Sequence, residues 1–276
     1  MVVRGTQGAQ FVRDKLKAAR NLTDPVFASE YLAEMASRWR DRQLVTNARS
    51  GRETCWIESE AQVEPLVTIR IATKDRPQLL LERSVASALR QTYANIEVLV
   101  VGDGCDPRTQ AALSAVDDER VRYVNLGRPG RYPANPADRW KVAGAAPMNA
   151  ALLLASGDWL APCDDDDELT DDHVERLLAH ARANALEFVW SKTEVLGDGP
   201  NTKVIGRADG REITHGSMIY SMGLSFFLYS PTCYRMQAFL DQNLWTRMRR
   251  AGVKMGFLDE VTYRYWPAGV QQYEGN

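Results

Sequence analysis

Cysteine is sparse in this chain of 276 residues, and its four copies, Cys55, Cys105, Cys163 and Cys233, stand far apart with no C-x-x-C pair. That spacing argues against a zinc site and a disulfide framework, and leaves core or incidental thiols. No apolar run approaches the roughly 18 to 20 residues of a membrane span, and Met1-Val-Val-Arg-Gly-Thr lacks the charged-then-apolar order of a signal peptide. The expectation is a soluble cytoplasmic protein with no transmembrane segment. An excess of one charge is lacking as well. Lys and Arg total 34 against 36 Asp and Glu, so a net charge of -2 gives no general reason to expect nucleic acid or an anionic membrane as partner. Two phosphate-binding turns are also missing. No G-x-G-x-x-G follows a strand, and no G-x-x-x-x-G-K-[ST] exists, which removes the dinucleotide turn and the P-loop.

What remains is a chain with 45% hydrophobic residues, ample for a packed core. Residues 1 to 64 are charged, alanine-bearing and helical in pattern, with Phe11, Val12, Leu16 and then Tyr31, Leu32, Met35, Trp39 at helical spacings. Thr46 to Gln62 reads as a linker. From Leu66 the texture changes to a β-branched strand ending at Ala72, a helix after Pro77 and a second apolar strand from Ile96 to Val101. This is a βαβ unit whose nearly continuous apolar strands suit a parallel sheet covered on both faces. A helix from about Arg108 and a strand from Val121 to Val124 continue the alternation. Leu126 to Ala143 is then long and irregular, with three prolines and the basic and aromatic residues Arg128, Arg131, Tyr132, Arg139, Trp140 and Lys141; it is expected to face a substrate. Later come a helix around Val174 to Ala181, a strand from Phe188, a hairpin turn at Gly197 to Pro200 and a helix from Leu240 to Ala251.

The chemistry is expected where Gly157, read as a left-handed helix cap, leads into the apolar run Trp159 to Cys163 and then into five consecutive acids, Asp164 to Glu168, before Thr170 caps the next helix. Two like charges about 5 Å apart repel by roughly 1 kcal/mol in water and by several times more in a partly dry crevice. Carboxylates crowded at a strand end therefore imply a compensating cation. Hard oxygen ligands point to Mg²⁺ or Mn²⁺, and a magnesium site of one or two carboxylates leaves positions for substrate phosphates.

The ordered set Ala72-Thr-Lys-Asp-Arg-Pro77, Ser87-Ala-Leu-Arg-Gln-Thr-Tyr93, Glu97-Val-Leu-Val-Val-Gly-Asp-Gly104, Asn149 in an alanine-rich helix and Gly157-Asp-Trp-Leu-Ala-Pro-Cys-Asp-Asp-Asp-Asp-Glu-Leu169 resembles the family 2 glycosyltransferases of GT-A fold. The likeness extends less firmly to Asp241-Gln-Asn-Leu-Trp-Thr-Arg-Met248 and to Phe257 to Trp266. It implies a single α/β nucleotide-binding domain over 65–276 with a mostly parallel central sheet, divided into a nucleotide-sugar half at about 65–169 and an acceptor half at about 170–276. Residues 1–64 form a helical extension outside it.

The resemblance also implies roles. Thr73 and Asp75 would meet the nucleotide base and ribose, and Asp103 would accept a hydrogen bond from a uracil-type N3, which favours UDP or dTDP sugars. Asp164, Asp165 and Asp166 would form the D-x-D motif, with Asp166 the metal ligand and Asp164 and Asp165 between them reaching ribose and metal-bound water, so that Asp164 belongs to both the metal and the donor set. Arg139, or Lys141 near it, would lie against the diphosphate, and Asp241 would be the general base toward an acceptor hydroxyl. The cofactor would be Mn²⁺ or Mg²⁺. Two departures stand out: Gly102 replaces one member of an aspartate pair, and Trp266 stands where many members carry a histidine that helps hold the metal. These departures favour a non-catalytic nucleotide-sugar-binding module as a rival. A sugar-1-phosphate nucleotidyltransferase is a second, although Thr73-Lys-Asp-Arg-Pro77 is not its glycine-rich loop. The N-terminal helices are expected to pack on the domain or to support a homo-oligomer.

Overall fold

Alternation of apolar strands with amphipathic helices from Val67 onward builds one sheet with helices on both faces. The computed structural model describes residues 40–50, 64–196 and 202–267, with positions 29, 32, 33, 37 and 38 before them. Four strands form the parallel half: β1 (Val67–Thr73), β2 (Ile96–Gly102), β3 (Val121–Asn125) and β4 (Trp159–Asp164), in the spatial order β3-β2-β1-β4. The other half adds β5 (Glu168–Leu169), β6 (Phe188–Val195), β7 (Lys203–Ile205), β8 (Met218–Ser221) and β9 (Met255–Tyr265). β8 joins β4 antiparallel, β6 pairs β8 antiparallel and β9 parallel, and β5 closes the order against β9. The fold is that of an α/β domain of GT-A type.

Strand alternation divides the core. Trp159, Ala161 and Cys163 of β4 face one buried cluster with Ile69, Ile71, Leu80, Val174 and Leu177, whereas Leu160 faces a second with Phe188, Leu240, Leu244 and Trp245. The helix after β1 starts at Pro77–Leu79, widens to a π turn over Leu80–Val85 and closes as Ala86–Leu89. Cys105, Cys163 and Cys233 are buried.

Several local expectations change. Gly157 is no left-handed cap, because the preceding helix, Ala145–Leu154, ends on Ala155 in extended backbone. The glycine permits a close approach instead: a Cβ there would lie 2.6 Å from the Thr68 backbone nitrogen. Thr170 does not cap the next helix, which starts at His173 after Asp172; its hydroxyl bonds Asp172 at 2.7 Å. The segment from Leu126 to Ala143 is not wholly irregular, since Pro136–Val142 is helical, capped by Asn135. The linker expected from Thr46 is helical through residue 50. Within that helix Val45 is buried in the second core, and Arg49 holds Glu187 through two hydrogen bonds of 3.0 and 2.7 Å. Phe11, Val12, Leu16, Tyr31, Met35 and Trp39 lie outside the described residues, as does the turn at 197–200, although the strands flanking that turn pair antiparallel.

Candidate active site

β1 and β4 run side by side with Ala72 opposite Asp164, so Thr73 and the acids leave the sheet together at the carboxyl edge of the parallel strands. That edge is where an open α/β sheet forms its crevice. The cleft there has a volume of about 1370 Å³, and Thr73, Asp75, Asp103, Arg139, Lys141, Asp164, Asp165, Asp166 and Asp241 all line it. The acidic run does not lead straight into a helix, as read from the sequence, but turns between β4 and the short β5. β5 forms because Glu168 and Leu169 find partners on β9, a pairing set by residues nearly a hundred positions away.

The counter-charge that crowded acids require comes in part from the chain itself. Arg76, in the turn after β1, spans two of them: its Nη1 donates to Asp166 Oδ2 at 2.7 Å and its Nη2 to Asp165 Oδ1. Thr73 Oγ1 donates to Asp165 Oδ2 at 2.6 Å, and Arg83 donates to the Asp166 carbonyl at 2.8 Å. Burial still dominates, lifting Asp165 to about 7 against the pull of Arg76, and it raises Asp166 in the same way. Asp167 turns to β9, accepting the Tyr263 hydroxyl at 2.5 Å and the Trp266 backbone N–H at 2.8 Å; burial, with Asp164 adding to it, holds this carboxyl well above the carboxylate range. The Trp266 ring meanwhile lies under the Arg83 guanidinium, 4.2 Å from its centre.

Asp164 has a different neighbourhood. Its Oδ1 is 2.8 Å from Nδ1 of His215, whose Nε2 lies 2.8 Å from Arg70 Nη2 and 3.0 Å from the Tyr229 hydroxyl. Burial pushes the Asp164 carboxyl up, but His215, with Arg70 and Arg76, more than reverses it. Burial likewise opposes a charged His215, and Asp164 overrides it to lift the ring to about 9. None of Arg76, Arg70, His215 and Tyr229 had a role in the sequence reading. Arg70 did leave a signal, as the one charge inside β1; His215 left none.

On the other wall, Asp103 is buried, and its two oxygens accept the Gly130 N–H at 2.7 Å and the Tyr132 hydroxyl at 2.6 Å. It thereby anchors the basic, aromatic segment over the cleft. Gly102 has a packing reason, since a Cβ there would meet Tyr123 Oη at 2.6 Å and Asn125 Oδ1 at 2.7 Å. Asp75, in left-handed backbone, accepts the Asp106 N–H at 2.7 Å and pairs with Lys74 at 2.8 Å. Arg139 donates to the Pro133 carbonyl at 3.2 Å, and Lys141 reaches Asp138 and Gln237, each at 3.0 Å. Asp241 lies in the first turn of the helix Leu240–Ala251 and accepts the Gln242 N–H at 2.6 Å. Burial raises its pKa and His215 pulls the other way, so it is a better proton acceptor than an ordinary surface aspartate.

Among the described residues no three His, Cys, Asp or Glu side chains form a metal cage by themselves. One or two carboxylates facing a cleft still fit a hard cation that takes its remaining ligands from a diphosphate and water.

Known proteins resemble this chain in sequence and in fold. WcaA of Escherichia coli K12, assigned as a colanic acid biosynthesis glycosyl transferase, is 32% identical over 183 residues, covering 65% of this chain and 54% of that protein. The chain spans about half the length of this relative and less of some others, 38% in the case of the succinoglycan biosynthesis protein ExoO of Rhizobium meliloti. Two solved structures have the same fold. TarS 1-349 of S. aureus in complex with UDP-GlcNAc aligns with a TM-score of 0.57 at 16% identity, over 74% of this chain and 59% of that one. The mannosyltransferase PcManGT of Pyrobaculum calidifontis with GDP-Man and Mn²⁺ aligns with a TM-score of 0.52 at 14% identity, over 91% and 68%. Residues 68–135 and 137–244, which carry β1 to β4, the acids and Asp241, match glycosyl transferase family 2, and the chain belongs to that family.

Proposed function

We propose that this domain is an inverting, cation-dependent glycosyltransferase that moves a sugar from a nucleoside diphosphate sugar to an acceptor hydroxyl. The observation that carries the reading is the convergence of Asp164, Asp165 and Asp166 with Asp241 in one cleft, beside Thr73, Asp75 and Asp103. In this reading residues 65–169 bind the donor and residues 170–276 the acceptor.

Thr73, Asp75 and Asp103 hold the nucleoside. Asp103 has a lone pair left on each oxygen for a uracil-type N–H, which favours UDP or dTDP sugars. Asp166 and Asp164 hold a Mn²⁺ or Mg²⁺ ion, which supplies charge stabilisation of the leaving diphosphate. Asp165 braces the nucleotide side through Thr73, and Arg139 and Lys141 contribute positive charge near the phosphates. Asp241 takes the proton from the acceptor hydroxyl. The freed oxygen forms its bond to the anomeric carbon as the bond to the diphosphate oxygen breaks, and a single in-line displacement inverts that carbon.

Incubation with a panel of UDP, dTDP and GDP sugars, with and without Mn²⁺, should release nucleoside diphosphate from one of them only when the cation is present. Asp166→Ala should lower that release at least about 100-fold, the scale of losing a principal charge-stabilising group. Release that ignores both cation and substitution would sink the metal assignment.

A further inference from the structure

Among the described residues Arg70 is the largest side chain that is fully buried, and it stands in the middle of β1 between Ile69 and Ile71. Its Nε and Nη1 have no hydrogen-bond partner, and its Nη2 donates to the Tyr229 hydroxyl at 2.9 Å and faces His215 Nε2 at 2.8 Å. A buried guanidinium without a carboxylate against it is expensive to keep, so its contacts carry information. Arginine can only donate. A neutral His215 must therefore accept at Nε2 and carry its hydrogen on Nδ1, the nitrogen 2.8 Å from Asp164 Oδ1. A doubly protonated ring has a hydrogen on Nδ1 as well. In both states His215 is a donor to Asp164.

We infer that Arg70 and His215 are positioning residues for the acidic cluster: Arg70 fixes the tautomer of the neutral His215 ring, and His215 locks Asp164 through Oδ1, so that ligand binding falls to Oδ2. A second observation supports a built arrangement. Asn149, from the helix Ala145–Leu154, exchanges two hydrogen bonds with the Tyr229 backbone, at 2.9 and 2.8 Å, and so holds the hydroxyl that completes the Arg70 contacts. Orienting partners of this kind fix a ligand's direction and are worth about 10-fold to 100-fold in metal affinity.

The functional part of this inference rests on the nucleotide-sugar reading; the tautomer does not, and two measurements separate them. Nitrogen-15 NMR of the ligand-free protein should show a hydrogen-bearing Nδ1 on His215, and a bare Nδ1 would overturn the inference. Calorimetric titration of Mn²⁺ into protein with UDP present should show affinity about 10-fold weaker in His215→Leu. In His215→Asn, whose amide N–H stands near the Nδ1 position, affinity should stay within about 3-fold of wild type. Thermal melts of both variants identify folded protein, and should His215→Leu not fold, His215→Asn compared with His215→Gln, which offers its donor at the other ring position, carries the same test. Equal affinities in all folded variants would remove the positioning role. Wild-type protein that binds neither Mn²⁺ nor UDP would count against the nucleotide-sugar reading, and the NMR result would still decide the tautomer.

Discussion

At the scale of single residues, the main electrostatic feature is Arg76 lying across Asp165 and Asp166. Replacing it by glutamine leaves the buried Asp165 and the largely buried Asp166 carboxyls with only neutral donors. A fully buried pair broken on one side loses about 3 to 5 kcal/mol; Arg76 keeps a quarter of its side chain in solvent, so a loss of about 2 kcal/mol is expected. Arg76→Gln should therefore melt lower than wild type without divalent cation, and it should gain more from added Mn²⁺. Equal thermal shifts in the two proteins would show that arginine and cation do not share these carboxylates. Asp241 makes a separate prediction. Because its raised pKa suits proton abstraction, Asp241→Asn should reduce kcat by about 10² to 10⁴ while leaving the donor KM within about 3-fold. A kcat within tenfold of wild type would assign the base to another group.

At the scale of elements, the helix His173–Ala183 is tied to β9 by its first residue. The buried His173 donates from Nδ1 to the Thr262 carbonyl at 2.9 Å, and its Nε2 has no partner. A second proton would place a charged N–H in an apolar site, and burial accordingly lowers the ring to about 4. The folded protein keeps His173 neutral while the unfolded chain takes up a proton below about 6.5, so unfolded binds more protons than folded in this window. Stability from this residue is fully present above pH 6.5 and is lost as pH falls toward 4, by up to about 3 kcal/mol. His173→Asn retains a donor for the carbonyl and cannot titrate, so its acid limb should be flatter. Denaturant melts of both proteins from pH 7 to pH 4 measure the difference, and parallel acid limbs would contradict it.

At the scale of the whole molecule, the helix over 40–50 joins the half that carries Asp241 without entering the cleft. Val45 contributes roughly 2 kcal/mol of apolar burial, and Arg49 neutralises Glu187, which is 6% exposed. Deleting residues 1–50 removes both, and a combined loss of roughly 4 kcal/mol corresponds to a fall of about 10 °C in Tm for a domain of this size. Donor hydrolysis should persist at temperatures where the truncated protein stays folded. A truncation that melts like the full chain but loses transfer to the acceptor would make this helix part of the acceptor site.

Local chemistry in the sequence was enough for the parallel half and for much of the site. Apolar runs of β-branched residues, Pro77 after a strand and acids after Cys163 are all properties of neighbouring residues, and they led to β1 to β4 and to the acids; the resemblance to a family supplied the other members of the nine residues that line one cleft. The helix Leu240–Ala251 was legible for the same reason, from its apolar stripe and an acid in its first turn. Features decided by distant partners were not legible. β5 exists through pairing with β9, Gly102 is required by Tyr123 and Asn125, and His215 meets Asp164 and Arg70 from positions 51 and 145 residues away. Propensity and periodicity report on a few turns of chain, whereas a buried charge or a tight glycine answers to whatever the packed sheet brings against it. The identity of the acids was therefore written in the chain, and the cations and hydrogen-bond donors that hold them were chosen by the tertiary structure.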